Sequence, residues 1–363
     1  MTFDPENLAR LNIRQLVPYS SARHEFAGAA EIYLDANENA FGSPIGMHLN
    51  RYPDPLQTAM KKRLAVSKGI SPAQIFIGNG SDEAIDLLFR VFCEPGREEA
   101  IICPPTYGMY KVAAEINGVL IKEIPLTQEF QLDVPRIQEE IVQITKLIFF
   151  CSPNNPTGNT MKRSDLLDIA KNFHGIVVVD EAYIDFSFGR SLLAEFDNYP
   201  NLVVLQTLSK AWGLAGARVG MAFANERIIN LINLIKPPYN VSQLAQEAAL
   251  DAFQQGAKVE GWVAQILEQR LLLADRLTDL DFIQKVYPSE ANFLLVKVED
   301  AETIYRSLLD RKIVVRDRSN VRLCEGCLRI TVGTPEENVR LVEALKTYQT
   351  DQSADVQTNA RST

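Results

Sequence analysis

Six short apolar runs recur along the chain, and helix-patterned segments lie between several of them. The runs are Gln74–Ile77, Glu99–Cys103, Leu147–Cys151, Ile176–Val179, Leu202–Leu205 and Val219–Ala222. They do not alternate polar with apolar residues, so they fit strands buried on both faces. Asp82–Phe92 and Lys162–Phe173 place apolar residues three and four apart, the spacing of an amphipathic helix. Strand followed by helix, repeated, predicts an α/β chain with a mainly parallel sheet covered on both faces. No internal repeat is present.

The texture changes near residue 243. Gln243–Phe253 and Val259–Leu280 read as helices. After them come "NFLLVKV", a helix over Ala301–Arg311, "KIVVRD", "CLRITVG" and a helix over Pro335–Tyr348. This is an α+β module of about 100 residues, enough for a second domain. The closing "QTDQSADVQTNARST" is polar and is expected to be disordered.

A chain of 363 residues with 46% hydrophobic and 23% charged residues is ordinary globular material. Its formal net charge of -9 argues against nucleic acid or an anionic membrane as partner. No apolar run reaches the roughly 20 residues that span a bilayer. "MTFDPENLAR" lacks the pattern of a secretory signal. Five cysteines suggest reduced thiols and a cytoplasmic setting. Cys324 and Cys327 form a CxxC with no second pair to complete a zinc site, so no metal is expected.

In open sheets of this kind ligands sit beyond the carboxyl ends of the parallel strands, so the residues after each run carry the information. Gly78-Asn79-Gly80-Ser81-Asp82 feeds a helix start, which suits either a phosphate or a plain N-cap at Ser81 or Asp82. Tyr107, after two prolines, is either a stacking surface or a core residue. Asn155, in "SPNNPTG", reads equally as a turn residue. Asp180 ends an apolar strand, which is costly unless a cation meets it. Ser209 and Lys210 follow the next run, with Arg218 eight residues on. A lysine beside a desolvated sheet end has its pKa lowered, as a Schiff-base lysine needs, whereas a solvated loop lysine does not. Gly213 and Gly216 would let the backbone pass close to a ligand. Together these parts meet the needs of pyridoxal phosphate: an amine for its aldehyde, a carboxylate for its ring nitrogen, donors for its phenolate oxygen and phosphate, and an aromatic face.

"SPNNPTG", "VVVDEAY", "TLSKAWGLAGARVG" and "LRITVGTPEEN", in this order, resemble fold-type I, class II pyridoxal-phosphate aminotransferases. "PYSSAR", "LDANENAFG", "RYPD", "CEPG", "CPPTYGMY" and "GCLRITVG" are similar to the histidinol-phosphate branch, from about Leu11 to Tyr348. The resemblance implies a large domain over 37–258 with a seven-stranded sheet. A small α+β domain covers 259–350, an N-terminal arm and small-domain segment 1–36, and a tail 351–363.

It implies that Lys210 binds the cofactor aldehyde and then moves the substrate proton. Asp180 would pair with the ring nitrogen, Asn155 and Tyr183 would hydrogen-bond the phenolate oxygen, and Tyr107 would stack on the ring. Ser81, Asp82, Ser209 and Arg218 would hold the phosphate. Tyr52 would reach it from a partner subunit, making the protein a homodimer with shared sites. Arg329 and Arg316 would clamp the substrate anion, helped by Asn155 and Tyr52. Tyr19 and Asn37 would close over the substrate, and Glu38 would approach an imidazole. The implied reaction exchanges an amino group between L-histidinol phosphate and 2-oxoglutarate. The same scaffold also admits an aromatic-amino-acid aminotransferase or a phospho-amino-acid decarboxylase. A regulator that keeps the fold as a sensing module is disfavoured by the acidic charge and by the few residues ahead of the matched region.

Overall fold

A computed structural model describes residues 3–17, 32–46 and 49–360, with side chains described to residue 350. Among the described residues, seven strands form the main sheet: β1 (Ile75–Asn79), β2 (Glu99–Ile102), β3 (Leu120–Glu123), β4 (Thr145–Cys151), β5 (Ile176–Asp180), β6 (Leu202–Thr207) and β7 (Val219–Ala224). Their order is β1-β7-β6-β5-β4-β2-β3. Every neighbouring pair is parallel except the two made by β7, which runs antiparallel to β1 and β6.

Each apolar run divides between the two faces with period two. On β4, Leu147, Phe149 and Cys151 join one core while Ile148 and Phe150 join the other. On β5, Ile176 and Val178 oppose Val177 and Val179 in the same way. Helices Ser81–Phe92, Met109–Ile116 and Glu226–Ile235 cover one face; Thr58–Lys68, Arg163–Asn172 and Gln243–Ala252 cover the other. Strand β3 is missing from the six apolar runs because it is the sheet edge, where "LIKE" is exposed or half-buried along its length.

A second, wholly antiparallel sheet follows: β8 (Ile283–Val286), β9 (Phe293–Val298), β10 (Arg316–Asp317) and β11 (Cys327–Thr331), in the order β10-β11-β9-β8. It packs on helices Gly256–Thr278, Ala301–Asp310 and the last helix through Leu273, Leu277, Ile304, Leu308, Leu341 and Leu345. Only Arg316 and Asp317 of "KIVVRD" are strand.

The last helix does not stop near Tyr348. It runs from Pro335 to Ala360, through most of the segment expected to be disordered. After Pro335 the sequence holds no proline or glycine to end it. No helix among the described residues is long and apolar enough to cross a membrane.

Candidate active site

A cavity of about 560 Å³ lies where β1, β4, β5 and β6 end and the second sheet faces them. Eleven of the sequence-derived positions line it: Ser81, Asp82, Tyr107, Asn155, Asp180, Tyr183, Ser209, Lys210, Arg218, Arg316 and Arg329.

The phosphate end comes first. Helix Ser81–Phe92 takes Gly80 as its N-cap, and no side chain caps it. Some helices are closed by side chains, such as Ser242 accepting from the Ala245 N–H and Asn225 from the Arg227 N–H, while Met109–Ile116, Arg163–Asn172 and Gly256–Thr278 are not. Neither Ser81 nor Asp82 caps the helix; both line the cavity, where the N–H groups of the helix start could hold an anion.

Two glycines let this turn form. Gly80 has φ +73°, and a Cβ there would meet the Arg218 guanidinium at 2.6 Å. Gly220 lies opposite Gly78 on β7, and a Cβ on it would sit 2.1 Å from the Ser81 nitrogen. Gly213 and Gly216 do not line the cavity, contrary to the sequence reading. Gly213 is required instead by its φ of +66°. Arg218 itself is left-handed, at φ +55°, with its carbonyl accepting the Gly80 N–H at 2.8 Å. Its guanidinium reaches Asp82 at 3.4 Å, and Asp82 also accepts from the Tyr107 hydroxyl at 3.0 Å.

Asp180, the last residue of β5, is buried. One carboxylate oxygen accepts from the Tyr110 hydroxyl at 2.8 Å and the other from the Ala182 N–H at 3.0 Å. Burial pushes its pKa up to about 6, with the two hydrogen bonds opposing that shift. Its two close partners are neutral donors, and a protonated ring nitrogen would supply the cation that a buried carboxylate wants.

Lys210 follows β6 and opens into the cavity, with its Nζ 5.5 Å from the centroid of the Tyr183 ring. Its ammonium is held below the ordinary lysine range, first by desolvation, then by Arg329 and Arg218, against the pull of Asp180 and Asp82. Burial likewise raises the phenols of Tyr183 and Tyr107, so both remain protonated donors at neutral pH. Tyr107 lines the cavity and meets Tyr110 edge-on at 5.6 Å, so it is more than a core residue.

The opposite wall is cationic. Arg316 and Arg329 are direct partners across β10 and β11, and Arg318 lies two residues beyond Arg316. Arg329 donates to the Asn155 side-chain oxygen, so Asn155 is more than a turn residue. Burial, then Arg318 and Arg316, hold Arg329 below the usual arginine range, and burial and Arg316 do the same to Arg318.

Tyr19 lies outside the described residues. Asn37, Glu38 and Tyr52 do not line this cavity. They line a second one of about 510 Å³, where Tyr52 stacks on Tyr239 at 4.4 Å. The segment is held there by Glu38, which pairs with Arg51 at 2.6 Å and accepts the Tyr52 N–H at 2.7 Å. The Glu38 carboxylate thus helps to hold its own loop beside this second cavity.

The sequence reading missed Tyr110 and Arg318. Tyr107 precedes the helix that begins at Met109, and Tyr110 lies in its first turn, fully buried, so no spacing in "CPPTYGMY" singles it out. Arg318 shares the i, i+2 side of Arg316, a signal that "VVRDR" carries openly.

The family profile described as "Aminotransferase class I and II" matches residues 33–345, and the chain belongs to that family. Two relatives bear the name histidinol-phosphate aminotransferase. The protein of Parabacteroides distasonis is 53% identical over 343 residues, 94% of this chain and 98% of that protein. The protein of Cytophaga hutchinsonii is 51% identical over 348 residues, 96% of this chain and 100% of that protein.

Among solved structures, the histidinol-phosphate aminotransferase of Clostridium acetobutylicum superposes with a TM-score of 0.77 at 25% identity, covering 84% of this chain and 92% of that one. The enzyme of Sinorhizobium meliloti, solved in complex with pyridoxal-5'-phosphate, gives 0.76 at 23% identity, covering 86% and 90%, and supports the fold.

Proposed function

We propose that this aminotransferase exchanges an amino group between L-histidinol phosphate and 2-oxoglutarate, giving imidazole-acetol phosphate and L-glutamate. The observation that carries this reading is one cavity with an uncapped helix start at one end, a lysine and a buried aspartate in the middle, and three arginines opposite. Relatives near half identity over almost the whole chain support the substrate. The protein acts as a soluble cytoplasmic homodimer in which Tyr52 and Asn37 complete the partner's site.

Pyridoxal phosphate supplies an aldehyde for the amino group and a ring that delocalises the electron pair left at the substrate carbon. The donor set fits that group. The Ser81 and Asp82 N–H groups, the Ser209 hydroxyl and Arg218 would hold its phosphate. Tyr107 would offer it an aromatic face, and Asp180 would keep its ring nitrogen protonated. Tyr183 and Asn155 would donate to its phenolate oxygen.

Lys210 acts twice. Its depressed pKa leaves a larger share of free amine at neutral pH, which makes it a nucleophile toward the aldehyde. The same amine would be placed to take the proton from the substrate α-carbon. Desolvation and Arg329 lower its affinity for a proton, while Asp180 opposes that shift. Arg329 and Arg316 would fix the substrate anion in the cavity that Lys210 also lines.

The test is direct. Purified protein should show the cofactor's absorbance and form glutamate from 2-oxoglutarate and histidinol phosphate. Lys210→Ala should lose both the lysine-bound absorbance and turnover. Carbon dioxide release without a need for 2-oxoglutarate would overturn the assignment.

A further inference from the structure

We propose that Arg318 is a specificity-determining residue: a third guanidinium that engages the phosphate of the phosphorylated amino substrate and matters far less for the carboxylate substrate. This rests on the reading of the cavity as the site of a phosphate-ester aminotransferase.

The placement of Arg318 is fixed by its backbone. Its N–H donates to the Cys327 carbonyl at 2.8 Å, and its own carbonyl accepts from the Val321 N–H at 2.9 Å. Being two residues past Arg316, it projects to the same side of an extended chain, and both line the cavity with Arg329. The neighbouring carboxylate is turned elsewhere: Asp317 accepts the Ser319 N–H at 2.8 Å and the Ser319 hydroxyl at 2.6 Å.

The Arg318 Nε is buried and has no hydrogen-bond partner among the described residues. Buried donors without an acceptor destabilise a fold, and so do like charges placed opposite each other on paired strands, as Arg316 and Arg329 are. An anion in the cavity would relieve the crowding of like charges.

Charge and oxygen count then discriminate between the two substrates. Glutamate and 2-oxoglutarate carry two carboxylates on separate carbons, each with two oxygens and one negative charge that a single bidentate arginine satisfies. A phosphate monoester gathers a charge of about -1.5 to -2 and three free oxygens on one centre, enough for three guanidiniums. With Arg316 and Arg329 sufficient for the two carboxylates, the third cation is selective for the ester.

The holoenzyme with Arg318→Gln or Arg318→Lys tests this. Three quantities are measured: kcat/KM for histidinol phosphate, kcat/KM for the glutamate half-reaction followed by cofactor absorbance, and inhibition of that half-reaction by inorganic phosphate. Arg318→Gln should lower the ratio of the first to the second by about tenfold to a hundredfold and weaken phosphate inhibition similarly. Arg318→Lys should recover part of each. Equal losses on both substrates with phosphate inhibition intact would make Arg318 a structural part of the turn and overturn the proposal, as would no change. A wild-type enzyme that uses glutamate but not histidinol phosphate, with phosphate inhibition still dependent on Arg318, would overturn the substrate reading while upholding the anion assignment.

Discussion

Asp180 is the residue whose chemistry is least satisfied by the polypeptide. Its pKa of about 6 stands above the ordinary 3.8 because burial favours the neutral acid. A raised folded-state pKa means that this group's stability is fully present below about pH 4 and is lost as pH rises through about 6. The loss is on the order of 3 kcal/mol for a shift of this size. Denaturant midpoints of the apoprotein should therefore show wild type falling behind Asp180→Asn as pH rises from about 4 to 8. A constant difference across that range would contradict the account. In the holoenzyme the order reverses, because Asn cannot pair with a protonated ring nitrogen, and kcat should drop by at least about a hundredfold. Tyr110→Phe removes one of the two donors that hold the carboxylate. It should cost about 1.5–3 kcal/mol in cofactor affinity, read by titration, with the fold intact by circular dichroism.

At the scale of elements, the turn between β1 and helix Ser81–Phe92 rests directly on β7. Gly220→Ala would force a Cβ into the backbone of Gly80 and Ser81. Backbone cannot yield as a flexible side chain does, so the variant should lose about 1–3 kcal/mol of stability, with weaker binding of pyridoxal phosphate. Thermal melts of apo and holo forms check this, and an unchanged cofactor affinity would contradict it. The strands that position the site were legible because β4, β5 and β6 are buried on both faces and so read as unbroken apolar runs. Strand β3 was not, because an edge strand can keep its polar residues in water. Nor was the reach of the last helix, because a polar sequence without proline or glycine carries no stop signal.

At the scale of the molecule, eleven positions scattered from Ser81 to Arg329 line one cavity. What a single sequence could not place was the relation of Tyr52 and Asn37 to that cavity, since they line another one. If they serve a partner subunit, mixing Lys210→Ala with Tyr52→Ala protein should restore activity. After random exchange of an equal mixture, about a quarter of the wild-type number of sites would be intact. No recovery after subunit exchange would place both lesions in one chain's site. The central claim, a pyridoxal-phosphate aminotransferase built around Lys210 and selective for a phosphate ester, is tested most directly by substrate competition. With 2-oxoglutarate as acceptor, kcat/KM for histidinol phosphate should exceed that for phenylalanine or tyrosine; a higher value for phenylalanine would contradict it.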